Sequence, residues 1–235
     1  MAIKISLEEL VKAGAHFGHQ TRRWNPKMEP FIHGAHDGVH VFDLTKTKEM
    51  LENVLKILKS ASKDKKTILF VGTKKQAKEK IKQVAKKTKS LCVTERWLGG
   101  TLTNFDQIKK STSKLSEMKD KMKKGDYKSL TKKERLLKER EIERLTRFFG
   151  GIENIDEKPD ILVVVDIRRE KGAVQEANVV GIPVIAIVDS NCDPDLVDYQ
   201  IPMNDDATRA IEYVLDLMKE AILEGKKKIG KKAKK

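Results

Sequence analysis

The chain has few cysteines and aromatic residues, and no long apolar run. Only Cys92 and Cys192 occur in 235 residues, too few and too far apart for a disulfide framework, which points to a reducing compartment. The longest apolar stretch, Val179 to Val188, is interrupted by Gly181 and Pro183. It falls well short of the roughly 20 residues a membrane helix needs. Ala2-Ile3-Lys4-Ile5-Ser6 leads straight into an acidic helix start, without the apolar region of a signal peptide, so a cytoplasmic location and no membrane partner are expected. There is no G-x-G-x-x-G, no P-loop spacing and no G-x-S-x-G elbow. The strongest sequence grounds for a nucleotide site or a serine hydrolase are therefore missing.

Charge, by contrast, is plentiful. Lys and Arg number 49 against 35 Asp and Glu, a net charge of +14, while aromatics are only 5%. At 39% hydrophobic residues the chain is still too apolar for wholesale disorder. Residues 1–104 carry a net +11, residues 105–150 a net +7, residues 151–225 a net −11, and the last ten residues seven lysines and no acid. A basic half, a basic middle and a basic tail suit a polyanion. The acidic third is expected to face protein or solvent rather than RNA.

The apolar pattern predicts an α/β fold. Ser6-Leu7-Glu8-Glu9 is a capping box, and Val39–Phe42 alternates like a strand. Leu44, Leu51, Val54, Leu55 and Leu58 recur at helical spacing. The runs 67–71, 161–165 and 184–188 are continuously apolar, as in strands buried on both faces of a parallel sheet. Helices follow each, the last over about 205–224. Alternating strands and helices imply right-handed crossovers. The expected organisation is a discontinuous core of residues 1–104 and 150–225, with a helical hairpin, coiled-coil-like, inserted over 105–149. A disordered lysine-rich tail, 226–235, completes it. The hairpin's narrow apolar seam, through Phe105, Ile108, Thr112, Leu115 and Met118, predicts a protruding arm dispensable for the core.

Several constellations bear on function. Thr21-Arg22-Arg23-Trp24-Asn25-Pro26-Lys27 combines guanidinium forks, an ammonium and an indole on a loop that Pro26 keeps extended. Arg grips phosphate bidentately and Trp stacks on unpaired bases, so this is the leading polyanion candidate. His16, His19, His33, His36 and His40 crowd one segment. With no CxxC and no metalloprotease helix, hydrogen bonding or stacking on nucleic acid is favoured over a metal. Gly72-Thr73-Lys74-Lys75 follows a buried strand and invites a phosphate at the helix start. Asp166 and Asp189 sit where open α/β sheets place ligands, which keeps open an α/β enzyme acting on a nucleotide or RNA. A nucleic-acid-free scaffold whose arm pairs with another coiled coil is a third reading.

His16-Phe17-Gly18-His19, Arg23-Trp24-Asn25-Pro26-Lys27-Met28, Phe70-Val71-Gly72-Thr73-Lys74-Lys75-Gln76-Ala77 and Arg96-Trp97-Leu98-Gly99-Gly100-Thr101-Leu102-Thr103-Asn104-Phe105 together resemble the bacterial S-two family of small-ribosomal-subunit proteins. Asp166, Glu170, Glu176-Ala177-Asn178 and Gly181-Ile182-Pro183 extend the resemblance in the same order. It implies a flavodoxin-like α/β core with a long inserted helical hairpin, and a non-catalytic role without cofactor or metal. The implied partners are small-subunit ribosomal RNA, neighbouring ribosomal proteins and the messenger-handling ribosomal protein S-one. No homo-oligomer is expected. The RNA contacts expected from loop chemistry, charge and resemblance are His16, His19, Thr21, Arg22, Arg23, Trp24, Asn25, Lys27, Lys74, Lys75, Arg96, Lys226, Lys227 and Lys228.

Overall fold

A computed structural model of the protein describes residues 3–232. Its centre is a parallel sheet of β4 (Ile68–Val71), β5 (Leu91–Val93), β6 (Ile161–Val165), β7 (Val184–Val188) and β8 (Tyr199–Pro202), in the order β5-β4-β6-β7-β8. That is the flavodoxin-like order, with its switch point between β4 and β6. Three of the strands are buried along their whole length, which explains the unbroken apolar runs. The period of two then divides each strand between the faces. Ile68, Phe70, Val163 and Val165 meet α2 (Leu44–Lys63), α3 (Lys75–Thr88) and α7 (Thr208–Lys232). Leu69, Val71, Leu162 and Val164 face the other way, towards α6 (Lys171–Val180).

The second face holds a departure from the sequence expectation. Helices α4 (Phe105–Lys124) and α5 (Lys132–Phe149) fill the connection between β5 and β6, and Lys114 of α4 pairs with Glu141 of α5 at 2.7 Å. Phe105, Ile108, Leu115 and Phe149 are all buried in the cluster that covers this face of the sheet. The base of the helix pair is therefore part of the core rather than separable from it. The seam looked too thin because a heptad count sees only helix-to-helix burial, while these residues belong to the same buried cluster as Leu69, Val71 and Leu102. Further out, Leu136 and Leu137 are exposed.

The N-terminal segment is also more ordered than its polar composition suggests. After α1 (Leu7–Lys12), capped by Ser6, come β1 (Phe17–Gln20), β2 (Ile32–His36) and β3 (Val39–Phe42). They form an antiparallel sheet in the order β1-β3-β2. Asp37 and Gly38, both at positive φ, make the turn between β2 and β3, the residue pair such tight hairpins favour.

The segment expected to be disordered from residue 226 begins within α7, which continues to Lys232. Propagating a helix already anchored by packing is easy. Residues 233–235 lie outside the described residues, as does the side chain of Lys228. No helix among the described residues is long and apolar enough to cross a membrane.

Candidate nucleic-acid interface

The segment 16–31 is docked across the carboxyl ends of the parallel strands. The backbone N–H of His19 donates to Ser190 Oγ at 2.8 Å, and that of Asn25 to the Ser190 carbonyl at 2.8 Å. The approach is close enough that a Cβ on Gly18 would lie 2.8 Å from Ser190 Oγ and 3.2 Å from the His40 carbonyl, so a larger residue would displace this contact. Asn25 spends its side chain on the Lys27 N–H, starting the short 3-10 helix Pro26–Phe31. Thr21 donates its N–H to the Gly38 carbonyl. Trp24 is half-buried, with its ring centroid 4.8 Å from that of His40. His16 lies beside Phe17, centroids 4.0 Å apart. On this pinned platform Arg22 and Arg23 are exposed, and Arg22 Nε makes one bond, to Gln20 Oε1 at 3.0 Å.

Not every expected contact is free for phosphate. Lys27 Nζ lies 2.8 Å from both Asp193 and Asp195; the bonds from these two raise its pKa. Lys74 is the clear correction. It turns inward after β4, and its ammonium meets Asp205 at 2.6 Å, Asp206 at 2.7 Å and Asp166 at 3.1 Å. Burial pulls its pKa down, but these carboxylates outweigh burial and hold it above the ordinary lysine range. A lysine with three carboxylates around it cannot serve as a phosphate contact. Lys75 and Arg96 are exposed at the ends of β4 and β5. Lys226 and Lys227 are exposed too, but stand near the end of α7, which starts beyond β8 and finishes at the opposite end of the sheet.

Around Lys74 the strand-end crevice is filled by the chain itself. Asp189 accepts from the N–H groups of Ser190 and Asp205 and lies 3.0 Å from His19 Nδ1. Glu170 accepts from the Thr73 N–H at 2.8 Å and hydroxyl at 2.6 Å. Asp166, Cys192 and Asp205 bring donor atoms within 4.8 Å of one another, but the Lys74 ammonium already supplies their counter-charge. Burial first, then Asp189 and Asp166, push the Asp205 carboxyl up to about 7, against the pull of Lys74. The hydrogen bond to Asp189 raises His19 above 6.5.

Both shifts have the same consequence for stability. A carboxyl raised on folding binds more protons than in the unfolded chain between its ordinary value and about 7, so its contribution falls as pH rises through that window. The raised His19 likewise contributes fully below 6.5 and loses its contribution as pH rises through its folded value. Urea unfolding is therefore expected to give lower stability at pH 8 than at pH 5.5 from this cluster, and Asp205→Asn should flatten that slope. An Asp205→Asn slope equal to wild type would contradict the assignment.

A second cluster orders the loop that follows Arg96. Glu176 of α6 accepts at Oε1 from Trp97 Nε1 (3.0 Å) and the Gly100 N–H (2.8 Å). At Oε2 it accepts from the N–H groups of Leu102 (2.9 Å) and Thr103 (3.1 Å) and from the Thr103 hydroxyl. Burial alone would raise its pKa, but these donors win and the net shift is downward. Glu176→Ala would leave three backbone donors without their acceptor, an expected loss of about 2–3 kcal/mol. Glu176→Gln should do little better, because its amide N–H groups would face other donors. Chemical denaturation checks this; a Glu176→Gln protein as stable as wild type would refute it.

The strand order is flavodoxin-like, the strand-end crevice is closed by internal ion pairs, and an arginine-bearing platform lies across it. Those features define an α/β scaffold for binding rather than an open catalytic cleft. The chain belongs to the Ribosomal protein S2 family, which matches residues 10–225. It is 51% identical over 222 residues to a small ribosomal subunit protein uS2 of a Nitratiruptor species, covering 94% of this chain and 83% of that protein. It is 48% identical, with the same coverage, to a uS2 of Coprothermobacter proteolyticus. A uS2 of Gloeobacter violaceus is 47% identical, over 94% of this chain and 81% of that protein. These relatives are named as proteins of the small ribosomal subunit.

Proposed function

We propose that the chain is a structural constituent of the small ribosomal subunit that binds ribosomal RNA, in the cytoplasm, through the platform at the carboxyl ends of its sheet. Arg22 and Arg23 are the principal phosphate contacts, with Lys75 and Arg96 beside them. The observation that carries the reading is that these arginines are exposed on a segment fixed by backbone hydrogen bonds to Ser190, within a chain of the Ribosomal protein S2 family. Positioning a messenger-handling partner of the S-one kind, beside neighbouring ribosomal proteins, is the finer role that the family resemblance suggests.

The test is incorporation. Because Lys27 is already neutralised, Arg22→Ala with Arg23→Ala should show nearly the whole effect of a triple variant that also carries Lys27→Ala. The expected loss is roughly tenfold in affinity for small-subunit RNA at moderate salt, with a flatter salt dependence. A folded double variant that competes equally with wild type for incorporation would overturn the assignment.

A further inference from the structure

The end of the sheet opposite the platform carries a second basic feature. A groove of 380 Å³ opens there, lined by Lys65, Lys66, Lys89 and Lys226, with no carboxylate on its walls. Its apolar lining residues, Ile68 and Ile222, are themselves buried, so it offers no anchor for a hydrophobic side chain. Among the described residues, Lys65, Lys66 and Lys89 form no ion pair. Lys226 donates to the Thr88 carbonyl; burial and the nearby Lys89 charge lower its pKa.

Backbone conformation sets two of these lysines apart. Lys65 and Lys89 adopt positive φ, 59° and 49°, a region that costs free energy for any residue with a side chain. Each follows a helix, α2 and α3, and each turn closes with the same bond: Lys66 N–H to the Ala61 carbonyl (2.9 Å) and Ser90 N–H to the Ala85 carbonyl (3.0 Å). Glycine is the usual residue at this position of such a turn. The chain uses glycine there after α4 and α6, at Gly125 and Gly181. It uses lysine at the two turns that meet at this groove. Support of the helix dipoles does not account for the choice, because Lys63, Lys86 and Lys87 already occupy the last turns.

We infer that Lys65, Lys66, Lys89 and Lys226 form a second phosphate-binding groove, which holds a ribonucleic acid backbone at the end of the domain remote from Arg22 and Arg23. Separated ammonium groups without apolar anchors suit a phosphodiester chain, which lysine reads as charge and not as sequence. The adjoining depression of 740 Å³ shares Lys89 with the groove and adds Glu153, Asp156 and Glu157, acids that the groove itself lacks. The inference rests on the reading that this chain binds ribosomal RNA.

Lys65→Gly with Lys89→Gly separates charge from folding, since glycine relieves the backbone while removing both cations. The full-length double variant is expected to unfold thermally no earlier than wild type. Its log affinity for small-subunit ribosomal RNA should fall less steeply with log salt, by roughly 1–2 in slope at about 0.7–0.9 per phosphate. Wild type and the Arg22→Ala, Arg23→Ala variant are measured alongside. Equal slopes for wild type and the glycine variant, with wild type binding RNA, would overturn the groove alone. No RNA binding by wild type would overturn the ribosomal-RNA reading and the groove with it. Early thermal unfolding of the glycine variant would remove the conformational argument. Unchanged RNA slopes with lost binding to polyglutamate would assign the groove to an acidic peptide instead.

Discussion

Replacing Lys74 by methionine is expected to destabilise the protein by about 3–5 kcal/mol at pH 8, the cost of leaving buried carboxylates without their cation. Methionine keeps most of the packing volume, so the loss reports charge rather than a cavity. The ammonium lies between Asp166, Asp205 and Asp206, and Asp205 is almost completely buried. Because Asp205 can take up a proton, the penalty should shrink markedly at pH 5.5. Paired urea titrations at the two pH values measure both effects. A Lys74→Met protein with wild-type stability at pH 8 would mean that the lysine is not the counter-charge of the crevice.

Leu115→Ala should cost about 3 kcal/mol, within the range for emptying a fully buried leucine site. Leu115 of α4 is inaccessible to solvent and belongs to the cluster on the α6 side of the sheet. Leu137→Ser on α5, at an exposed position, should change stability by less than about 0.5 kcal/mol. The same reasoning predicts that replacing 107–146 by a short linker destabilises the core, since it removes Ile108 and Leu115 together. Equal melting of the Leu115→Ala and Leu137→Ser proteins would show that α4 does not contribute to the core.

These two residues mark where the sequence was legible and where it was not. The parallel strands were readable because burial on both faces leaves unbroken apolar runs, as at Ile161–Val165. β8 was harder: it is a four-residue edge strand ending at Pro202, and proline is tolerated at an edge. β1 and β2 are largely exposed and carry histidine and glycine, so no alternation announces them; the Asp37-Gly38 pair was the one usable signal. Charge counted by segment did not show the pairing inside the fold. The acidic third was expected to face protein or solvent, and folding sets its Asp205, Asp193 and Asp216 against Lys74, Lys27 and Lys80 of the basic half. Such long-range pairs leave no local pattern. Glu176 escaped for the same reason, since its donors lie more than seventy residues away.

The central claim is that this chain works as part of the small ribosomal subunit, held there by RNA. Sedimentation of the tagged full-length protein in a cell extract tests it most directly. The protein is expected to travel with the small subunit at low salt, to be absent from free large subunits, and to be released as salt rises. Protein that remains at the top of the gradient, under conditions that keep other small-subunit proteins bound, would contradict it.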